Sequence, residues 1–128
     1  MLTKSTKSTG YLYKNVKNPK EEQEQKALAQ YLRLNRIPFY HIPNGGYRTK
    51  TEAIRLKAQG VQSGVPDICI VVANKGYHGL YIELKRIRGG ITSDNQQAWI
   101  KLLTQQGYLA VVALGANEAI SVVERYLH

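Results

Sequence analysis

Cysteine, acidic residues and long apolar runs are what this sequence has little of. A single cysteine, Cys69, among 128 residues excludes an intramolecular disulfide and a cysteine-built zinc site. Set inside an apolar run, it reads as a buried structural thiol. No apolar stretch approaches the ~18 residues that a membrane span requires. The opening residues Met1-Leu2-Thr3-Lys4-Ser5 lack the apolar core of a signal peptide, so a cytoplasmic protein is expected. Asp and Glu number 9 against 18 Lys and Arg, a formal net charge of +9. That imbalance predicts attraction to a polyanion, driven by phosphate neutralisation and counterion release. Hydrophobic residues are not scarce: at 43% of the chain they supply one core, and the length suits one domain.

Residues 1–18 read as a tail of Lys, Ser, Thr, Gly and Asn, with Lys4, Lys7, Lys14 and Lys17 unmatched by acids and Tyr11 and Tyr13 interleaved. A basic arm that touches phosphate and a plain disordered tail both fit this composition. The domain proper is expected over 19–128. A first helix starts near Pro19, which suits a first turn. Glu21, Glu22 and Glu24 follow and complement the positive helix end, then Leu28, Tyr31 and Leu32 make an apolar stripe.

Residues 36–42 read as a short strand, with Pro38 pointing to a sheet edge. A basic helix is expected from Thr49 to Gln59, ended by Gly60. Asp67 to Val72 is an apolar, β-branched strand, and Leu80 to Lys85 is the next, joined to it as an antiparallel hairpin through Asn74-Lys75-Gly76. A helix opening at Ser93, with Trp99, Leu102 and Leu103 as its core face, is closed by Gly107. A strand from Tyr108 to Leu114 and a helix from Asn117 to Tyr126 complete the chain. The order implies an α/β fold of three layers, α/β/α, a central mixed sheet with helices on both faces.

Alternation puts Glu83 and Lys85 on one face of their strand, ~7 Å apart, and Leu80, Ile82 and Leu84 on the other. A turn centred on Gly76 sets Asp67 opposite Lys85 and Cys69 opposite Glu83, so Asp67, Glu83 and Lys85 share one face. A lone Glu-x-Lys is common on exposed strands; behind Gly64-Val65-Pro66-Asp67, one hairpin away, it is a candidate site. Two converging carboxylates suit a hard cation such as Mg²⁺ or Mn²⁺. Such an ion activates water and polarises a phosphodiester. Lys85 would orient or deprotonate the attacking water, or offset phosphate charge. On the first helix Glu21 falls in angle between Leu28 and Leu32, with Gln25 and Glu24 on the two edges of that face. Glu21 is thus either a third site carboxylate or a favourable acid at a helix start. Gln96 and Gln97 open the third helix, where a side-chain amide can reach a water or phosphate oxygen.

Gly64-Val65-Pro66-Asp67, Glu83-Leu84-Lys85 and Ser93-x-x-Gln96, in that order, resemble the pattern of the virus-type replication-repair nuclease (VRR-NUC) domain within the PD-(D/E)xK nucleases. Glu21-x-x-x-Gln25 before Leu28 and Tyr31-Leu32 is similar to that family's first helix. The resemblance spans roughly residues 19–127. It implies a restriction-endonuclease-like core and a metal-dependent endonuclease, with Asp67 and Glu83 as Mg²⁺ or Mn²⁺ ligands. It also implies Lys85 as the catalytic lysine, Glu21 as an accessory acid and Gln96 as a supporting polar residue. Standing alone, the domain is similar to minimal phage and bacterial forms, which implies a homodimer acting on branched DNA such as four-way (Holliday) junctions. Nine tyrosines supply material for an interface or for stacking on splayed bases. His41 reads as structural or DNA-facing and His78 as a loop residue. A non-catalytic DNA-binding module and an RNA-binding basic protein both explain the charge, but neither explains the carboxylates.

Overall fold

The β-branched run around Cys69 and the strand Leu80–Lys85 form the middle of the sheet, and the rest of the fold is arranged about them. The computed structural model describes residues 21–43 and 49–128; the tail expected over 1–18 lies outside the described residues. The elements are α1 (Glu21–Leu34), β1 (Phe39–His41), α2 (Lys50–Ala58), β2 (Ile68–Ile70), β3 (Leu80–Lys85), α3 (Asp94–Gln105), β4 (Leu109–Leu114) and α4 (Gly115–Leu127). The strands lie in the order β1-β2-β3-β4. The first two pairings are antiparallel and β3–β4 is parallel, with α3 as its crossover. β1 is an edge strand, the position Pro38 requires.

One face of the sheet carries the core. Ile68, Ile70, Leu80, Ile82, Leu84 and Ala113 pack under Leu28 and Leu32 of α1 and Ala116, Ala119, Val123 and Tyr126 of α4. On the other face α3 packs over β4. Helices therefore cover both faces, as the mixed-sheet reading expects. The core face expected for α3 is narrower than its apolar residues suggest: Leu103 is buried, Trp99 only half so, and Leu102 is exposed. The physical reason is that α3 covers a single strand, so its contact stripe is thin. α2 keeps a capping box, Thr49 with Glu52, and ends before Gly60 at φ 105°, yet none of its residues is buried.

The hairpin register differs from the sequence expectation by two residues. Cys69 faces Tyr81 and Ile68 faces Ile82, so Asp67 continues the ladder opposite Glu83 rather than Lys85. The turn runs Asn74 to Tyr77, with Lys75 and Gly76 at positive φ. Between it and the ladder stand residues 71–73 on one side and 78–79 on the other. That one-residue asymmetry, added to a turn centre half a residue earlier than Gly76, makes the shift. Because the shift is even, every side chain keeps its face. Tyr126 locks the turn: its hydroxyl donates to Val72 O at 2.6 Å, and Asn74 Nδ2 donates to Tyr126 O at 2.8 Å.

Candidate metal-binding nuclease site

The site lies where β2 begins and β3 ends. Pro66, buried, has no N–H to give to a ladder and holds β2 off until Ile68. The N–H of Leu84 is left without a backbone acceptor there, and Asp67 Oδ2 takes it at 2.7 Å. This pins the Asp67 carboxylate beside Glu83. Ile42 N donates to the Asp67 carbonyl at 2.7 Å, and His41 Nδ1 lies 2.9 Å from the same oxygen. His41 thus supports the backbone of the site, in line with a structural role.

Glu83 is 2% exposed and Lys85 7%, so the Glu-x-Lys is no solvated strand face. Lys85 Nζ sits 3.4 Å from Glu83 Oε2. Gln96 Nε2 donates to the same oxygen at 2.9 Å. The orientation of that amide is dictated by the start of α3. Ser93 and Gln96 form a capping box in which Gln96 Oε1 accepts from Ser93 N at 2.9 Å and Ser93 Oγ accepts from Gln96 N at 3.2 Å. With its oxygen committed to the backbone, the amide must present Nε2 to Glu83. Glutamate would complete the box equally well but would set a second carboxylate oxygen against Glu83, so the site requires glutamine. Glu83 Oε1 is buried with no hydrogen-bond partner.

A cavity of about 110 Å³ opens here, lined by Glu21, Ser63, Gly64, Val65, Asp67, Glu83, Ser93 and Gln96. Glu21, Asp67, Glu83 and Gln96 thus come together, and Lys85 joins through Glu83; Gln97 stays exposed, its amide on Thr92 O at 3.3 Å. Burial is the main force raising the Asp67 carboxyl above the usual range; the Leu84 N–H opposes it and the charge of Glu21 adds to it. Glu83 is pushed up to about 8, first by burial and then by the charge of Asp67, against the pull of Lys85. Two neighbouring carboxyls that burial and nearby acids hold above their usual range are short of positive charge. Among the described residues no three of His, Cys, Asp and Glu are grouped closely enough to hold one metal ion by themselves. A divalent ion such as Mg²⁺ keeps several waters and needs only one or two carboxylates, and Glu83 Oε1, without a hydrogen-bond partner, could serve as a ligand atom.

The VRR-NUC domain model matches residues 19–117. The chain belongs to the VRR-NUC family. A solved structure described as a VRR_NUC domain protein shares 30% identity with a TM-score of 0.76, over 88% of this chain and 91% of that one. No curated protein matches the chain. Membership makes this a protein of a nuclease family on a restriction-endonuclease-like fold, and among the described residues no helix is long and apolar enough to cross a membrane.

Two features of this VRR-NUC site escape sequence reading. Glu24 lies on the inward face of α1 with Leu28 and Leu32, not at its edge. Its Oε1 accepts from Ala116 N at 2.7 Å, so it caps the first turn of α4 from another helix, and burial raises its carboxyl. Its partner is 92 residues away, and no local spacing announces it. Glu21 and Glu24 therefore divide along clear lines. Glu24→Ala leaves the Ala116 N–H unpaired and is expected to cost about 1–3 kcal/mol in denaturant unfolding. Glu21→Gln, at an exposed position on the cavity rim, should leave the unfolding midpoint alone and lower cleavage about tenfold, the scale for groups that tune a metal site. Equal losses of activity in Glu21→Gln and Glu24→Gln at equal stability would refute the division.

The second feature is Gly64. At φ 95°, a Cβ there would stand 2.6 Å from the carbonyl carbon of Asn95, in the first turn of α3. The loop before Asp67 is packed so closely on that turn that it sets how far Gln96 reaches toward Glu83. Gly64→Ala combines backbone strain of about 1–3 kcal/mol with that clash. It is expected to lower the melting temperature and cleavage together; a variant with normal stability and activity would show that the contact is slack.

Proposed function

We propose that this protein is a divalent-metal-dependent endonuclease that hydrolyses DNA phosphodiester bonds, prefers branched DNA such as four-way junctions, and works as a cytoplasmic homodimer. The observation that carries the reading is the pairing of half-buried Asp67 with buried Glu83, whose Oε1 has no hydrogen-bond partner while Lys85 and Gln96 hold Oε2. A binding module gains nothing from two acids facing a phosphate. Asp67 and Glu83 would hold Mg²⁺ or Mn²⁺, which supplies a lowered pKa for bound water and polarisation of the phosphodiester. Asp67 is kept aimed by the Leu84 N–H, and Glu83 by Gln96. The Lys85 ammonium, buried and tied to Glu83, would orient the attacking water or offset charge on the phosphate. Glu21 adds negative charge at the rim, and the net charge of +9 draws the backbone of DNA in from a distance. The homodimer follows from the chemistry: opening a junction takes two cuts on opposing strands, and two-fold symmetry is the commonest way to supply two sites. Cleavage of duplex, flap, splayed-arm and four-way-junction DNA, with Mg²⁺ or Mn²⁺ against EDTA, tests this. Paired, metal-dependent cuts in the junction, together with a dimer mass in light scattering, are expected. Tight binding with no cut under either metal would leave a DNA-binding module, and equal cutting of linear duplex by a monomer would remove the junction and dimer parts.

A further inference from the structure

The face of the sheet that holds the carboxylates continues into a row of aromatic side chains. Tyr40, Cys69, Tyr81 and Ala110 are register neighbours across β1, β2, β3 and β4. By alternation they share the face of Asp67 and Glu83, one pleat repeat away at ~7 Å. The hydroxyls of Tyr40 and Tyr81 meet at 3.5 Å above Cys69, which is 5% exposed. Behind them the Tyr108 ring stands edge-on to Tyr81, centroids 5.3 Å apart at 79°, and His78 stands edge-on to Tyr108 at 5.4 Å. On this face α3 covers β4, and the β1–β2 half stays open: Tyr40 is 50% exposed and Val71 55%. This open aromatic row lies next to Asp67 and Glu83, and neither core packing nor the carboxylate chemistry uses it.

We propose that Tyr40 and Tyr81, braced by Tyr108, form a stacking surface for an unpaired base of DNA beside the phosphate held at Asp67 and Glu83. The proposal rests on the nuclease reading for the position of that phosphate. Charge decides the class of occupant: the chain carries +9, which draws in a polyanion, and one that reaches the carboxylates lies beside this same face. Distance decides which part of it arrives. A nucleotide whose phosphate is at the carboxylates carries a base on the scale of one pleat repeat away. A paired base has both faces covered by its neighbours in the stack, whereas an unpaired one offers a free π-face, and tyrosine stacks on any base. The surface thus favours cutting where pairing ends, as it does at a branch.

The test is binding in Mg²⁺ on a Lys85→Met background, where the ion stays and nothing is cut, by fluorescence anisotropy on a fully paired duplex and on the same duplex with unpaired thymines at a gap. Tyr40→Leu keeps an apolar side chain at a half-exposed edge position but removes the ring. It is expected to weaken binding to the gapped DNA by about five- to a hundredfold, the range for one lost base–aromatic stack, and to leave duplex binding unchanged. Tyr40→Phe keeps the ring and should bind as the parent protein does. In the parent protein, 2-aminopurine at the gap should be quenched on binding. Four results would overturn the proposal: Tyr40→Leu binding both DNAs normally, Tyr40→Phe falling as far as Tyr40→Leu, unchanged 2-aminopurine emission, or a halved mass of Tyr40→Leu in light scattering with DNA binding intact, which would assign the face to a second copy of the chain. Absence of cleavage by the protein with Lys85 in place, in Mg²⁺ or Mn²⁺, would defeat the nuclease reading on its own, since the stacking is read without cleavage.

Discussion

Asp67→Asn is expected to lower metal-dependent cleavage by on the order of a thousandfold, with the fold intact. The size follows from what a metal ion contributes to phosphodiester hydrolysis, several kcal/mol at about 1.4 kcal/mol per decade of rate. The survival of the fold follows from the geometry. Asp67 Oδ2 accepts the Leu84 N–H, and the amide oxygen of asparagine can accept the same bond. What asparagine lacks is the charge that, with Glu83, compensates a divalent cation. Lys85→Met is the complementary variant. It removes the ammonium 3.4 Å from Glu83 Oε2 and leaves both carboxylates, so cleavage should vanish while Mn²⁺ still binds, as read by calorimetry. The contrast separates the roles: loss of metal binding in Asp67→Asn and retention in Lys85→Met assign ligand and catalytic cation. Near-wild-type cleavage by Asp67→Asn would remove the metal site from this end of the sheet.

These assignments were open to sequence reasoning because strand alternation survives an even error. The turn of the hairpin is asymmetric, which a symmetric reading around Gly76 does not show, yet a shift of two residues keeps Asp67, Glu83 and Lys85 on one face. The correction matters to the chemistry all the same: it puts Asp67 directly against Glu83, whose carboxyl is raised first by burial and then by the charge of Asp67. The start of a helix at Ser93 was legible too, although Gln96 reads there as reaching a water or phosphate oxygen and in fact closes a capping box with Ser93. That the spare Nε2 of Gln96 then reaches Glu83 depends on α3 lying against the Gly64 loop, a tertiary fact. Helix phase placed Glu21 between Leu28 and Leu32 in angle, but phase carries no information about height along the sheet. Height is what sends Glu21 to the cavity and Glu24 to the N-terminus of α4. Trp99 and Leu102 mislead for a related reason: an apolar stripe shows that a helix has a face, not how much sheet lies beneath it.

The raised carboxyls predict how stability depends on pH and metal. A carboxyl whose pKa is higher in the folded than in the unfolded chain binds more protons when native, throughout the window between the two values. Stability therefore falls as pH rises across that window, by up to ~1.4 kcal/mol per pH unit for one group. For Glu83 the window runs from 4.5 to about 8, and Asp67 shifts in the same direction. The metal-free protein should thus melt at its highest temperature near the lower end of the window, lose stability steadily toward pH 8, and change little from this cause above it. Glu83→Gln, which cannot ionise, should flatten most of that slope. Divalent ions should reverse it. An ion that displaces the proton shared by the pair binds more tightly as pH rises, by up to about tenfold per unit below pH 8. A saturating ion adds about 2.7 kcal/mol when present at a hundred times its Kd. Melting curves in EDTA and in Mn²⁺ from pH 5 to 9 should accordingly diverge, close together in acid and far apart at pH 8 and above. Parallel curves would mean that the ion does not meet the Asp67–Glu83 pair. A metal-free curve that rises over the same range would mean that Glu83 is not the buried acid, raised by burial and by the charge of Asp67, that its geometry describes.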